Sequence, residues 1–471
     1  MPTECTQNSF AFHWQNGREV VARFDGGVIT SDGGGVLLRE VEARTGITRQ
    51  FAACFTDHRD PDLIEHPVQD LVAQRVYALA LGYEDLNDHD ELRRDPLLAT
   101  LVGKADPTGH TRIRARDVGK ALAGKSTLNR LELTTQQAGP DSRYKKIVLH
   151  EDRVDRLLVE LFLQAHVQAP PQIILDLDAT DDPLYGKQEG RFFHGYYGCY
   201  CYLPLYIFCG EHLLCARLRR SDIDASAGAL EEVQRIVGQI RERWPAVSII
   251  VRADSGFARD ALMSWCEQQG VDYVFGLAKN ARLRRVLDKE LYEAQQECAR
   301  TGQPARVFKD FTYKTRKSWT RTRRVVGKAE HLANKSNPRF VVTSLPGAQW
   351  DARALYEDLY CARGDMENRI KEQQLYLFAD RTSTATMRAN QIRLWFSSMA
   401  YVLLQALRRL GLKGTALAHG QCHTIRLKLL KIGAQIRVTV RKVWVSLTSG
   451  SPYAALFAQV YLNLLAAPLR C

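Results

Sequence analysis

Hydrophobic residues change their spacing along the chain, and the change predicts regions of different structure. Between residues 62 and 165 the apolar positions recur mainly at helical spacing, as in DLIEHPVQDLVAQRVYALALG and RVDRLLVELFLQAH. Farther on, three β-rich runs are followed by helix, strand, helix and strand, at 172–178, 199–209, 211–218, 227–244, 247–251, 258–269 and 272–277. Three strands followed by an alternating helix–strand part is the element order of an RNase H-like core. We therefore predict an α/β fold with a mixed sheet flanked by helices.

The second half of the chain predicts an interruption of this core and then its completion. The basic segment FKDFTYKTRKSWTRTRRVVGKAEH alternates in the manner of a strand pair. A strand at 340–345, a polar helix at 352–374 and an apolar helix at 384–410 follow it. We expect a mainly helical N-terminal region, a first part of the core, a β-rich basic insertion, a second part of the core and a C-terminal region, at 1–165, 166–280, 281–338, 339–412 and 413–471.

Composition and charge restrict the kind of partner. Of the 471 residues 45% are hydrophobic, and 65 Lys and Arg against 53 Asp and Glu give a net charge of +12. An excess of this size favours a polyanionic partner. The 11 cysteines show no metal-ligand spacing, and we expect neither a signal peptide nor a membrane span. The sequence therefore predicts a cytoplasmic protein.

Carboxylates lie where apolar strands end. Asp178 ends the run PQIILDLD, Asp254 ends the strand in VSIIVRADSG, and Glu367 lies on the helix predicted at 352–374. Carboxylate oxygens are the ligands that Mg²⁺ prefers, and two such ions about 4 Å apart can promote phosphodiester cleavage. A single strand-end Asp more commonly starts a turn or caps a helix. Asp176, on the same face of its strand as Asp178, is the alternative first ligand.

The polar helix carries a stripe of reactive side chains. Tyr360, Arg363, Glu367 and Gln374 lie at offsets of 0, 3, 7 and 14 residues, which places them within about 60° of one helix face. A stripe of this composition is unusual for an apolar core and suits a face turned toward a phosphate. The simpler alternative is that Arg363 and Glu367 form a surface ion pair at i,i+4 spacing.

These motifs together resemble the DDE transposases of bacterial insertion sequences, in the group with a Tyr-Arg-Glu signature on the last catalytic helix. The resemblance is carried by DLDATDD at 176–182, RADSG at 252–256 and YCARGDMENRIKE at 360–372. Two further runs, FDGGVITSDGGGVLL and GKQEGRFFHGYYGCYCYLPL, resemble one subfamily of that group. The resemblance therefore spans almost the whole chain.

The resemblance implies roles for the residues that match the motifs. Asp178, Asp254 and Glu367 become the catalytic, metal-binding triad, with Mg²⁺ as the cofactor and Mn²⁺ able to replace it. Tyr360 and Arg363 become contacts to the DNA end.

One position departs from the pattern of the group. Its members usually have lysine seven residues after the glutamate, where this chain has Gln374. Because an amide carries no charge, a weakened or inactive enzyme is one alternative. Lys371, one turn earlier on nearly the same face, is expected to reach the same phosphate.

Basic and aromatic residues elsewhere are further candidates for contact with DNA. In the insertion, Arg321 and Arg323 are expected to neutralise phosphates, and Trp319 is the candidate to stack on an unpaired base. In the helical N-terminal region, which we expect to bind DNA, Lys125 and Arg130 lie on a predicted helix that faces the DNA backbone.

The sequence thus predicts a DNA transposase. Water would hydrolyse the phosphodiester at the end of the insertion sequence, and the freed 3′-OH would attack target DNA. The expected partners are terminal inverted repeats and target DNA, and because two ends must be held together we expect a homodimer on DNA, associated with the bacterial nucleoid. A structure-specific nuclease with the same core and a catalytically decayed DNA-binding protein are the alternatives.

Overall fold

The fold is described from a computed structural model for residues 9–333 and 335–468. The first eight residues of the predicted N-terminal region, residue 334 in the predicted insertion and the last three residues of the C-terminal region lie outside this range. The strands are β1 (Ser9–Gln15), β2 (Arg18–Arg23), β3 (Ile29–Thr30), β4 (Phe55–Asp57), β5 (Ile147–Leu149), β6 (Gln172–Ala179), β7 (Asp182–Pro183), β8 (Phe192–His194), β9 (Cys199–Tyr202), β10 (Leu205–Cys209), β11 (His212–Arg217), β12 (Ser248–Ala253), β13 (Asp272–Leu277), β14 (Ala305–Tyr313), β15 (Arg323–Leu332), β16 (Lys335–Ser336), β17 (Arg339–Thr343), β18 (Ala434–Val438) and β19 (Val443–Leu447).

Helices connect and cover these strands. They are α1 (Val36–Thr45), α2 (Ile47–Ala52), α3 (Val68–Leu81), α4 (His89–Leu92), α5 (Pro96–Val102), α6 (Lys125–Leu133), α7 (Glu151–Ala165), α8 (Ala229–Arg243), α9 (Asp260–Gln269), α10 (Ala281–Val286), α11 (Asp288–Thr301), α12 (Ala352–Ala354), α13 (Gly364–Lys371), α14 (Met387–Gly411), α15 (Cys422–Ile425) and α16 (Ala454–Ala466). Among the described residues no helix is both long and apolar enough to cross a membrane.

The chain divides into two compact units. The first comprises the described parts of residues 1–52, 59–131 and 406–471, and the second comprises residues 53–58 and 132–405. In the first unit, the glycine-rich turn of FDGGVITSDGGGVLL packs against the chain near Leu429. A Cβ atom on Gly34 would lie only 1.7 Å from the Leu429 carbonyl oxygen, so only glycine fits there.

The second unit is built on one mixed sheet. Its strand order is β11-β10-β6-β12-β13-β17-β15-β14, with β16 paired to β15. Strand β10 is antiparallel to β6 and β11, whereas β12 is parallel to both β6 and β13. The first five strands therefore have the order and directions of an RNase H-like sheet, which confirms the predicted fold class.

The two faces of this sheet bury different helices. Odd-numbered positions of β6 and β12, such as Leu175 and Val251, pack in one cluster with buried residues of α7, α8 and α9. Even-numbered positions, such as Ile250, pack in another with Leu355 and Leu359 from residues 352–376. Because side chains alternate along a strand, the even-numbered polar residues that follow in β6 and β12 also face the 352–376 segment.

The region predicted as a β-rich insertion begins with helices. Residues 281–301 form α10 and α11, which the alternation of the sequence did not predict. Strands β14 and β15 then form a hairpin, and β15 pairs with β17, so the hairpin extends the central sheet. The buried run of valines in β15 and β17 explains this attachment, because both faces of these strands are covered.

The structure contradicts the prediction that Trp319 and Arg323 face DNA. Trp319 is only 5% exposed, lies in the core and packs edge-on against Tyr313 with ring centroids 5.8 Å apart. The Arg323 side chain is buried and pairs with Asp260 at 2.6 Å and with Glu267 at 2.7 Å, both on α9. Its charge is thus neutralised within the protein, and both residues attach the hairpin to the core.

We predict that Trp319→Ala destabilises the protein by about 3–5 kcal/mol, because removing a large buried ring leaves a cavity. Urea unfolding of the full chain, followed by circular dichroism, measures this loss. Arg321→Ala, at an exposed position two residues away, should change the free energy of unfolding by less than about 0.5 kcal/mol. Unchanged stability of Trp319→Ala together with weaker DNA binding would restore the predicted stacking role.

Candidate active site

Two of the predicted carboxylates end neighbouring parallel strands. In the register of β6 and β12, Asp176 pairs with Arg252 and Leu177 with Ala253. The next step along both strands brings Asp178 beside Asp254, on the face covered by residues 352–376. Asp254 also caps the short 3-10 turn that follows, because its Oδ1 accepts a hydrogen bond from the Gly256 N–H at 2.8 Å.

A buried ion pair underlies these strand ends. The Arg252 guanidinium donates to both oxygens of Asp176, from Nε at 2.5 Å and from Nη2 at 2.8 Å. Its Nη1 donates to the carbonyl oxygen of Leu359 at 2.5 Å. Arg252 therefore joins β6, β12 and the overlying helical segment in one contact. Burial raises the pKa of Asp176, and the hydrogen bonds and charge of Arg252 oppose that rise.

The helical segment 352–376 is irregular. After α12 it continues as a π-helical turn at Leu355–Tyr360, a 3-10 turn at Cys361–Arg363, α13 and a second π-helical turn at Glu372–Tyr376. Such π-helical turns are frequent at functional sites, because they change the direction in which side chains leave the helix. The predicted helix at 352–374 is therefore present, with a locally changed turn.

Tyr360 reaches across the sheet next to Asp254. A Cβ atom on Gly276 of β13 would lie 2.5 Å from the Tyr360 hydroxyl and 2.8 Å from the Ser255 nitrogen. Glycine at this position therefore makes room for the ring. Burial raises the pKa of Tyr360, with Arg363 lowering it and Asp254 raising it.

Arg363 contacts two of the predicted catalytic carboxylates, those of Asp178 and Glu367. Its Nη1 lies 3.1 Å from Asp178 Oδ2, and its Nη2 lies 2.9 Å from Glu367 Oε1. The ion pair at i,i+4 spacing is therefore present, but it is also tied to the end of β6. The Glu367 side chain is 47% exposed, so the cluster opens to solvent on this side.

The electrostatics show that these acids repel one another. The pKa of Asp178 is raised to about 6: burial is the main cause, the charge of Arg363 opposes the rise, and the charges of Asp254 and Glu367 add to it. Burial alone would lower the pKa of Arg363, but Asp178, Tyr360, Glu367 and Asp254 raise it overall. The cluster thus favours a bound cation, a role that Arg363 fills here.

In the part of the chain that the structure describes, no three His, Cys, Asp or Glu side chains are grouped closely enough to hold one metal ion. The donor chemistry nevertheless fits a hard divalent cation, since the acids offer carboxylate oxygens alone. The guanidinium between Asp178 and Glu367 shows directly that this position attracts positive charge.

Gln374, where lysine was expected, faces a different group. Its Nε2 donates to the Asp181 carbonyl oxygen at 3.1 Å and to Asp182 Oδ1 at 3.0 Å. Asp182 is fully buried, and burial raises its pKa to about 8, with Gln374 lowering it and Asp380 raising it. Gln374 therefore ties the helical segment to the chain just after β6, and Lys371 is exposed.

The other predicted DNA contacts are divided between the two units. Arg321 is exposed, 3.3 Å from Glu267. In the first unit, Lys125 begins α6 and lies 3.3 Å from Asp90, while Arg130 is half-buried on the same helix.

Sequence reasoning missed Arg252 and Asp182 as parts of the site. The signal for Arg252 was its place inside an apolar strand, two residues before Asp254, where a charged residue is rare without a partner. Asp182 was hidden because an Asp before Pro183 is typical of an ordinary turn.

We predict that Arg252→Met lowers the free energy of unfolding by about 3–5 kcal/mol, because Asp176 would remain buried without its cation. The double variant Asp176→Leu/Arg252→Met should recover much of this loss, since no uncompensated charge remains. Urea unfolding at neutral pH compares the three proteins. A double variant as unstable as the single one would contradict the ion-pair explanation.

A second prediction concerns Asp182, whose pKa in the folded protein, about 8, lies above the ordinary 3.8. The folded state then holds a proton that the unfolded state releases, so this stability contribution is complete below pH 4 and lost as the pH rises through about 8. Asp182→Asn should therefore make stability less dependent on pH between 6 and 9, by an amount on the order of a few kcal/mol. Urea unfolding across this range tests it, with Asp358→Asn, at an exposed carboxylate, as the control; equal pH profiles for Asp182→Asn and the parent would refute it.

Comparison with known proteins identifies the family. The sequence matches the model of the family described as Transposase DDE domain group 1 over residues 12–469. No curated protein matches it. Among solved structures, a piggyBac transposase synaptic complex with hairpin DNA is similar at 10% identity and a TM-score of 0.43, covering 93% of this chain and 82% of that chain. Since the family model spans nearly the whole sequence, the protein belongs to the Transposase DDE domain group 1 family and is a DDE transposase.

Proposed function

We propose that this transposase cleaves DNA at the ends of an insertion sequence and joins the freed 3′-OH to target DNA, with Asp178, Asp254 and Glu367 as its catalytic carboxylates. The observation that carries the proposal is the meeting of the three elements at one sheet edge. Asp178 and Asp254 end adjacent parallel strands, and Arg363 draws Glu367 to Asp178. These acids are 76 and 113 residues apart (254 − 178 and 367 − 254), so local structure alone does not explain their meeting.

DDE transposases generally use a divalent metal. We assign Asp178, Asp254 and Glu367 to hold it, with Mg²⁺ as the ion and Mn²⁺ as its substitute, because both prefer carboxylate oxygens. When bound, the metal supplies positive charge to the attacking and leaving oxygens. Arg363, which neutralises the acids here, would then be free to donate to a DNA phosphate.

The two chemical steps displace an oxygen from phosphorus in the same way. In the first, water attacks the phosphorus at the end of the element, the P–O bond to the 3′ oxygen breaks, and the strand leaves with a 3′-OH. In the second, that hydroxyl attacks a target phosphodiester, and the target's 3′ oxygen leaves. One set of carboxylates can therefore serve both steps.

We assign Asp178, rather than Asp176, as the first metal ligand. Both oxygens of Asp176 accept hydrogen bonds from the buried Arg252, which leaves that carboxylate engaged within the protein. Asp178 lies one pair farther out, at the strand end, and its Oδ2 lies 3.1 Å from Nη1 of Arg363, at the solvent-facing side of the cluster.

The proposed DNA contacts follow from exposure and charge. Tyr360 and Arg363 lie at the carboxylates and are assigned to the DNA end, and the exposed Lys371 is assigned to a phosphate on the same side. Arg321, Lys125 and Arg130 are also assigned to DNA phosphates. Since each element has two ends, marked by inverted repeats, we propose that a homodimer holds them. Gln374 is engaged with Asp182, so its amide serves the fold at this position.

We predict that Asp178→Asn, Asp254→Asn and Glu367→Gln each lower the rate of end cleavage by at least about a hundredfold, because each removes a charge that the reaction needs. The assay uses purified full chain, Mg²⁺ and a labelled duplex made from the DNA that flanks the gene. Asp358→Asn, which changes an exposed carboxylate of the same helical segment, is the matched control and should retain the parental rate.

The products distinguish the alternatives. Joined strands support the transposase, whereas cleavage without joining by the parent indicates a structure-specific nuclease. Binding of the duplex with no metal-dependent cleavage indicates a catalytically decayed protein. If the three carboxylate variants cleaved as fast as Asp358→Asn, the assigned triad would be wrong.

A further inference from the structure

An exposed aromatic surface lies beside the proposed active site. It is formed by the hairpin of β8 and β9 and the chain that leads into it, residues 184–202, which overlap the motif GKQEGRFFHGYYGCYCYLPL from residue 186 onward. Side chains here have exposed fractions from 42% to 95%, namely those of Tyr185, Phe192, Phe193, Tyr196 and Tyr200. We call this set the aromatic hairpin.

The aromatic hairpin is held rigidly on the second unit. Ser221 donates from Oγ to the Cys201 carbonyl oxygen at 2.7 Å, and Tyr202 donates from its hydroxyl to the Glu189 carbonyl oxygen at 2.5 Å. Gln188 donates from Nε2 to the Thr382 carbonyl oxygen at 3.1 Å. The exposed rings therefore stand on an anchored support, and little conformational entropy remains to be lost when a ligand binds.

The hairpin is connected directly to the strand that carries Asp178. It is inserted between β6 and β10, and Asp178 itself pairs with Tyr206 of β10. Strand β7, four residues after Asp178, pairs with β9 through Asp182 and Tyr202. A DNA strand lying at the carboxylates therefore has this surface next to it.

Cationic groups lie among the rings. The Arg191 guanidinium carbon lies 3.9 Å from the ring centroid of Tyr200, and Arg191 also donates to the Gly186 carbonyl oxygen at 2.7 Å. Lys187 is exposed. The acid of the same stretch, Glu189, accepts a hydrogen bond from the Met387 N–H at 3.0 Å. Flat apolar faces next to positive charge are the chemistry that binds bases and phosphates of single-stranded DNA.

We propose that the aromatic hairpin binds unpaired bases of the DNA end beside the cleavage site. The proposal rests on the proposed function, since it assigns the hairpin to the DNA that the carboxylates cut. Trp319, the earlier candidate for base stacking, is buried, whereas the rings of the hairpin are open. Unpairing the terminal bases gives the strand the freedom to enter the carboxylate cluster, and stacking stabilises the unpaired form.

Binding of single-stranded DNA tests the proposal without depending on cleavage. The full chain carrying Asp254→Asn is titrated, without divalent metal, into a fluorescein-labelled mixed-sequence oligonucleotide of roughly 12 nucleotides, a length within the usual site sizes. Tyr196→Ala and Phe193→Ala should each weaken this affinity by about fivefold or more, as expected for the loss of one stacked base. The affinity of the same variants for a blunt duplex of the same length should fall by less than about twofold.

Two matched variants isolate the contribution of the rings. Tyr196→Phe keeps the ring and should bind within about twofold of the parent. Tyr292→Ala removes an equally open ring from α11, where its side chain is 62% exposed, and should leave single-strand binding unchanged. Equal thermal unfolding midpoints establish that the variants are folded.

Several results would overturn the proposal. The proposal would be wrong if the alanine variants bound single-stranded DNA as tightly as the parent. It would also be wrong if their affinity for single-stranded DNA and for duplex fell by the same factor. Sedimentation showing that these variants only dissociate a dimer would instead assign the rings to a second copy of the chain. A parent that binds single strands through these rings but never cleaves would sink the proposed function while leaving stacking by the hairpin in place.

Discussion

The contact of Arg252 with Asp176 and the Leu359 carbonyl is the constraint on which the site depends. Leaving either charge unpaired in the core would cost several kcal/mol, so the two strands and the helical segment are held in one register. That register places Asp178 beside Asp254 and turns Arg363 toward both. The ion pair thus forms the support beneath the site, and the carboxylates proposed to act on DNA lie one pair farther out.

Asp176 and Asp178 lie on the same face of one strand, but their surroundings suit different roles. Asp176 has its hydrogen bonds satisfied inside the protein, which suits a structural role. Asp178 is balanced by Arg363, a side chain that also reaches the half-exposed Glu367 and sits at the edge of the cluster. The carboxylates at the strand ends repel one another, and a bound cation or a positively charged side chain reduces this repulsion.

The irregular segment 352–376 extends the site along the sheet edge. Tyr360 lies over β13, Arg363 at the end of β6, and Gln374 at the chain after β6. The stripe predicted from helical spacing therefore does face the strand ends. The last residue of the stripe, Gln374, differs from the prediction because it binds the buried Asp182. The aromatic hairpin begins at that same stretch of chain, so the helical segment, the carboxylates and the exposed rings are connected through a few hydrogen bonds.

Local pattern was sufficient for the parts of this protein in which burial and chain direction act over short distances. The apolar runs that end at Asp178 and Asp254 determined two central strands, and the changing period along residues 172–277 determined their order in an RNase H-like sheet. Tertiary structure decided what the pattern left open. Trp319 and Arg323 have the composition of a DNA-binding hairpin, yet they are buried because α9 offers two acids and an apolar surface. Arg252 and Gln374 likewise acquire their roles only from residues far along the chain. Whether a charged or aromatic side chain faces solvent depends on the partner that long-range packing brings to it, and spacing along one sequence does not contain that partner.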